Sequence, residues 1–355
     1  MSLPAVAEDS HNTTTSSTWV LPFASLADAQ GDWHTPTDIL DSCPHLRRLF
    51  HWPCEWRLHR GSEMSLTPPH QWVRAWQLGW LDALPDTFPP AEENAVPGLA
   101  DGALPWAAHE MAHLLQYKQV PAAWFTPCHQ EVGMDHIRLH PPSHLALSEP
   151  HSRALMQALQ PWAAEDGIAL HWVSPTRWLA VGEPLQGLRC ASLDRVVGRS
   201  IAPWLAASRL SPTLRRLQSE AQMLFYTHPV HDERVNSGAL PVNAFWIDGS
   251  GVLPATRLGT PAQDTATWTL IDTLRTPAQQ GDVLTWQQSW PTLDAELGAH
   301  CLQRLASGQT VRLWLTGERS LLALTFQPMT RWQHWQHKLK DVLHIQRIAF
   351  GFDTL

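Results

Sequence analysis

Between Ala122 and Val181 the chain changes element type so often that few architectures accommodate it. Residues 122–125 (Ala-Ala-Trp-Phe) and 136–139 (His-Ile-Arg-Leu) have strand character, the second through its alternation of polar and apolar residues. Ser148-Glu149-Pro150 then opens a helix that runs to about Glu165. Ser148 stands at the N-cap and the proline falls in the first turn, where its missing N–H is not needed. Asp166-Gly167 ends that helix. Two short apolar runs follow, 168–173 and 177–181, separated by Ser174-Pro175 in the manner of a hairpin. Strand, helix, strand, strand is an order that recurs in compact α+β units.

The flanks extend this into a mixed α/β fold. Upstream, 37–50 reads as short helical pieces interrupted by Pro44, 54–60 as a strand and 71–84 as a Trp-rich amphipathic helix. Residues 85–105 carry loop signals (Pro-Pro, Glu-Glu-Asn, Pro-Gly), and a helix follows to about Lys118. Downstream, 214–226 is a helix broken at His228-Pro229, because proline cannot donate and disfavours helix at the residue before it. A buried strand is expected over 240–247, a polar stretch over 256–280, a helix over 292–306, strands over 311–315 and 321–326, and a terminal helix over 332–343. The expected fold class is α/β, a mixed sheet with flanking helices and a central α+β portion. The expected divisions are a disordered leader (1–17), an N-terminal α/β portion (18–104), a central α+β portion (105–255) and a C-terminal α/β portion (256–355) packed on the first.

Charge and cysteine usage exclude several function classes. The formal charge is −8 and no long basic run exists, so no electrostatic footprint for nucleic acid is present. No stretch approaches the ~20 consecutive apolar residues of a membrane span, and the first 17 residues lack the basic and apolar regions of a secretory signal. Cys43, Cys54, Cys128, Cys190 and Cys301 are odd in number and form no CxxC pair, against both a disulfide framework and a thiolate zinc site. A cytoplasmic protein with reduced thiols is expected. Twenty Trp and 22 Arg against 3 Lys suggest either aromatic cages and phosphate-binding surfaces or a coding bias.

Three motifs bear on chemistry. His109-Glu110-Met111-Ala112-His113 is an HExxH, whose histidines share a helical face and whose glutamate suits a general base; its reading as a zinc site lacks an assured third ligand, with His129 and Glu131 the nearest candidates. Asp248-Gly249-Ser250-Gly251 follows a strand and reads as a plain turn, since it lacks a P-loop lysine. No GxSxG elbow is present. The longest constellation is HPVHDERVNSGALPVNAFWIDGSG, from His228 to Gly251: a helix break at Pro229, a short helix carrying Arg234, a stop at Gly238, and a strand containing Asn243. A buried Asn must satisfy both its amide and its carbonyl, so Asn243 should organise neighbouring loops.

Within that block, His228, Pro229, Val230, Arg234, Gly238, Pro241, Asn243, Trp246, Gly249 and Gly251 follow a pattern that resembles archaeal-type cofactor-independent phosphoglycerate mutases. His231 stands where that family has Asn, and Asp248 where it has Trp or Arg. Leu193-Asp194-Arg195-Val196-Val197-Gly198-Arg199 resembles the family's Pro-His-Asp-Ile-x-Gly-Lys with the histidine lost, and Thr176-Arg177-Trp178 its Tyr-Arg-His. The resemblance is closer to the bacterial RpfE-type regulatory proteins and related phosphoglycerate-mutase-like proteins. These share Asp166-Gly167, Arg177-Trp178, Gly198-Arg199 and the 228–251 block. It covers about residues 120–255.

The resemblance implies a degenerate relative of the alkaline phosphatase superfamily, with 105–255 as the substrate-side portion. Arg177 and Arg234 become the anion-binding candidates, with Asn243 and His228 beside them, because guanidinium forks suit phosphate and carboxylate. In the mutases two metals and a Ser or Thr nucleophile carry out phosphoryl transfer. Here no N-terminal Asp-Gly metal motif is visible, and Thr316-Gly317-Glu318-Arg319 stands where the family places Gly-Asp-His and Thr-Pro. An arginine at a cation site is hostile to metal. The implied protein is noncatalytic and regulatory, with no cofactor. It would bind a small phosphorylated or carboxylate ligand and a protein partner, with no nucleic acid and no membrane. The alternatives are an active mutase or metal-dependent phosphatase and, more remotely, a zinc hydrolase built on His109 and His113.

Overall fold

The structure, a computed structural model, describes residues 17–28, 32–91, 96–112, 120–134, 136–253, 267–329, 352 and 355. The leader up to residue 16, His113 with the rest of the helix expected to Lys118, residues 256–266 of the polar stretch, and the terminal helix over 332–343 lie outside the described residues.

In chain order the elements that position the site are β1 (Ser17–Leu21), α1 (Pro44–Phe50), β2 (Cys54–Gly61), α2 (Pro69–Gln77), β3 (Thr87–Phe88), α3 (Trp106–Glu110), β4 (Ala122–Cys128), α4 (Glu149–Glu165), β5 (Ala169–Ser174) and β6 (Arg177–Val181). They continue with α5 (Leu193–Val196), α6 (Pro212–Thr227), α7 (Pro229–Asn236), β7 (Ala244–Gly251), β8 (Thr267–Leu270), α8 (Arg275–Gln280), α9 (Val283–Leu293), α10 (Ala299–Ala306), β9 (Val311–Thr316) and β10 (Leu321–Phe326). Two sheets organise them. A six-stranded sheet has the order β8-β1-β9-β10-β2-β3, and a four-stranded sheet the order β7-β4-β6-β5. The chain is therefore a mixed α/β protein with flanking helices.

β1 is buried along its whole length, as a central strand covered on both faces must be. It runs parallel to both neighbours, with Trp19 opposite Thr269 of β8 and Leu313 of β9. Beyond β9 the sheet turns antiparallel through β10 and β2. One of its faces, with Leu21, Leu313, Leu315 and Leu324, packs against Leu46 and Phe50 of α1, Trp286 and Trp290 of α9, and Leu305 of α10.

The four-stranded sheet is antiparallel throughout. Because side chains alternate along a strand, Ala123 and Phe125 of β4, Trp178 of β6 and Phe245 of β7 bury against Leu155 and Leu159 of α4 and Leu214 and Phe225 of α6. The opposite face presents Trp124 and Leu179. These join Trp72, Trp80 and Trp106, together with Val20, Trp314 and Leu321 of the first sheet, in an apolar layer common to both sheets.

Local signals placed many boundaries correctly. Ser148 caps α4, accepting from His151 N–H, and Gly167 at φ +75° follows the helix end. His228 caps α7: its Nδ1 accepts from Val230 N–H, so the break at Pro229 separates two helices. Five expectations differ. The helix expected over 71–84 stops at Gln77, and Gly79 at φ +73° turns the chain away. The strand expected over 240–247 begins only at Ala244, because Pro241 has no N–H to give and the Asn243 side chain bonds the backbone of Gln130. The glycines expected to make a turn remain in β7, where the pairing with β4 shifts between Asp248 and Gly251. The helix expected over 292–306 is divided among the end of α9, a π turn at Asp294–Gly298 and α10, and β8 lies inside the stretch read as polar.

Candidate functional site

A cavity of about 650 Å³ lies where the two sheets meet. Val20 near the carboxyl end of β1 and residues 268–270 of β8 form one wall; Trp124, Thr126, Arg177 and Asp248 of the four-stranded sheet form the other. The carboxyl ends of parallel strands are a common place for ligands in α/β sheets. α2, α3, α5 and α8 close the sides with His70, Glu110, Asp194 and Arg275.

Register explains which residues face inward. Trp124 pairs with Asp248 on one side and Leu179 on the other, so Trp124, Thr126 and Asp248 share the cavity face. The Arg177 guanidinium lies over the Trp124 ring, 4.2 Å from its centroid, and donates to Glu110 at 3.3 Å. Arg74 lies 4.9 Å from the Trp106 centroid and approaches the same Glu110 at 3.9 Å. Glu110 thus holds two arginines, each backed by an indole.

Asp194 is the most heavily bonded carboxylate of the cavity. One oxygen accepts from Arg275 at 2.5 Å and Gln279 at 2.8 Å; the other contacts His70 Nε2 at 2.9 Å. Burial pushes this carboxyl up, but Arg275 and His70 outweigh burial and hold it well below the usual range. His70, also buried, is pushed down by desolvation against the pull of Asp194, so it is neutral near pH 7 and donates Nε2–H to the carboxylate. Asp248 differs. Among the described residues its side chain accepts one hydrogen bond, from Leu193 N–H, and burial pushes it up to about 6 against the lowering effect of Arg177.

The site residues expected from the sequence divide between environments. Arg177 lines the cavity. Arg234 does not: it is 3% exposed, and its Nε–H and Nη–H donate to the carbonyls of Leu240 and Leu145, beside the core on the other side of the four-stranded sheet. Asn243, half-buried, bonds the Gln130 backbone through both its carbonyl (2.8 Å) and its amide (2.9 Å) and so organises the loop. His228 is the α7 cap. The pairing of Arg177 with Arg234 in one pocket is therefore not made, because the two belong to opposite faces of the sheet.

Of the HExxH residues, His109 is half-buried, edge-on to Trp80 at 5.2 Å, and burial lowers its pKa; Glu110 is taken by Arg177 and Arg74; His113 lies outside the described residues. Sequence reasoning missed His70, Asp194, Asp248 and Arg275 as a group. Asp194 had a signal, its place in the motif ending Gly198-Arg199. Arg275 had none, lying in a stretch read only as polar.

The two-metal centre implied by the resemblance does not fit these donors. Both Asp194 oxygens are engaged by N–H donors, one of them a fixed cation, and among the described residues no three His, Cys, Asp or Glu side chains are grouped to hold a metal. At the other suspected position, Glu318 is bound by both Nη groups of Arg199, and its carbonyl accepts from Arg195 at 2.5 Å.

No family model matches this chain, and no curated protein matches it. Among solved structures, two illustrate a distant similarity. One is a cofactor-independent phosphoglycerate mutase from Thermoplasma acidophilum: 13% identity, TM-score 0.33, 88% of this chain and 90% of that one. The other is the PH0037 protein from Pyrococcus horikoshii: 10% identity, TM-score 0.44, 90% of this chain and 89% of that one. At these values the likeness carries no argument about activity.

Proposed function

We propose that this chain is a noncatalytic, regulatory phosphoglycerate-mutase-like protein of RpfE type that binds a small phosphorylated or carboxylate ligand in the cavity around Arg177. The observation that carries the reading is the set of donors there. Arg74 and Arg177 are held in place by Trp and Glu110 yet keep 47% and 41% of their side chains exposed. Arg177 Nε, Trp124 Nε1 and Trp268 Nε1, all on lining residues, have no hydrogen-bond partner among the described residues. Leaving a buried donor unsatisfied costs about 1–3 kcal/mol, which favours a ligand whose acceptors can reach one of them. The noncatalytic part is supported by Asp194, whose oxygens are taken by Arg275, Gln279 and His70 rather than left open to a metal pair.

The test is direct. Purified protein should bind sulfate or 3-phosphoglycerate by calorimetry, and Arg177→Ala should weaken that binding about tenfold or more, as expected for a charged hydrogen bond. Interconversion of 2- and 3-phosphoglycerate with added Mn²⁺ or Mg²⁺ would defeat the noncatalytic reading.

A further inference from the structure

The cavity is larger than a three-carbon acid needs, and its walls are aromatic in a particular way. Pockets of ~300–1,000 Å³ enclose ligands of drug size, and about 650 Å³ falls well inside that range. Two guanidinium groups, Arg177 over Trp124 and Arg74 over Trp106, are each covered on one side by an indole while remaining partly exposed. The Glu110 carboxylate engages both, limiting their freedom to swing away. A planar cation backed by an indole and held by a carboxylate presents its second face as a stacking surface, which suits a flat π system better than a flexible chain. Among the described residues, the Asp248 oxygen that Leu193 N–H does not engage adds a hydrogen-bonding group of the kind that reads the edge of a heterocycle.

Resting on the anion-binding reading, we infer that the ligand is an anion carried on a planar ring, its ring stacked on the Arg177 and Arg74 faces and its charge met by their N–H groups. A nucleoside monophosphate and an aromatic carboxylate both have this chemistry.

Calorimetry on the full chain, with quenching of tryptophan fluorescence as a second readout, compares adenosine monophosphate, indole-3-carboxylate, ribose 5-phosphate, 3-phosphoglycerate and sulfate. The expected result is that a ring-bearing anion binds about tenfold or more tighter than ribose 5-phosphate and 3-phosphoglycerate, the stacking increment of roughly 1–3 kcal/mol seen for bases on aromatic groups. Whichever of the first two binds tighter names the source. Arg177→Lys keeps the charge but loses the planar face, so the ratio of adenosine monophosphate to ribose 5-phosphate affinity should fall toward one. Arg74→Lys serves as a second variant should the first not fold. Equal or tighter binding of ribose 5-phosphate or 3-phosphoglycerate overturns the ring inference and leaves the anion reading standing. If none of the five binds, both fall.

Discussion

Asp248 and Asp194 share a cavity and have opposite electrostatics, which makes them separable by experiment. Asp248 is pushed up to about 6 by burial, further raised by the nearby carboxylates of Asp194 and Glu110, and held down by Arg177 and Leu193 N–H. With Asp248 ionised, the three carboxylates balance Arg74, Arg177 and Arg275; protonation tips the cavity positive. Sulfate, whose charge is constant over the range, should therefore bind more tightly at pH 5.5 than at pH 7.5, and Asp248→Asn should bind it tightly at both. Calorimetry at the two values checks this, and a pH-independent wild type would sink the idea. For Asp194 the sign is reversed. Its folded pKa is depressed, so its stabilisation is complete above the unfolded value near 4 and is lost only as pH falls toward the folded value. Asp194→Asn leaves Arg275 without its inner partner and should lower stability by about 3 kcal/mol in urea titrations between pH 5 and 8. That gap should shrink in stronger acid.

The elements show where a glycine is required and where it is merely convenient. Gly198, in the motif that follows α5, has φ +76°, and a Cβ there would lie 1.7 Å from the carbonyl oxygen of Gln279. The turn after α5 and the end of α8 thus approach so closely that only glycine fits, and α8 is the helix that delivers Arg275 and Gln279 to Asp194. Gly187 has a similar φ of +68° but nothing within 4 Å. Gly187→Ala should cost about 1 kcal/mol, the backbone penalty alone; Gly198→Ala should cost clearly more and also weaken the Asp194–Arg275 contact. Thermal melts of the two variants compare these directly. The cap at Ser148 and the break at Pro229 were legible in the sequence because each acts on residues close by in the chain, while the capping role of His228 came only with the structure. The start of β7 was not, because it depends on Asn243 meeting Gln130 across 113 positions.

At the scale of the whole molecule, the cavity exists because two sheets are held together by more than their common apolar layer. Arg195, 2% exposed, donates to Ser65 Oγ at 2.7 Å and to the Glu318 carbonyl, while Arg199 engages both Glu318 oxygens in a fork. These contacts tie the α5 region to the β9–β10 turn, where Gly317 also passes so close to Leu355 that a Cβ would sit 2.4 Å from its carbonyl oxygen. Arg199→Ala strands Glu318, which is only 8% exposed, and should cost about 3 kcal/mol in chemical denaturation. Glu318→Gln should cost less, since an amide tolerates burial better than an unpaired carboxylate. Equal losses would argue against a charge-based clamp. The sequence by itself determined the run of elements from 122 to 181, the break at Pro229 and the mixed α/β class, because caps, breakers and periodicity are set by near neighbours in the chain. Only the tertiary structure decided that β8 joins β1, that Arg177 faces the cavity while Arg234 is consumed by backbone carbonyls, and that Asp194 meets Arg275. Burial and charge pairing depend on which distant segments fold against one another, and strand register turns a one-residue difference into the choice of face.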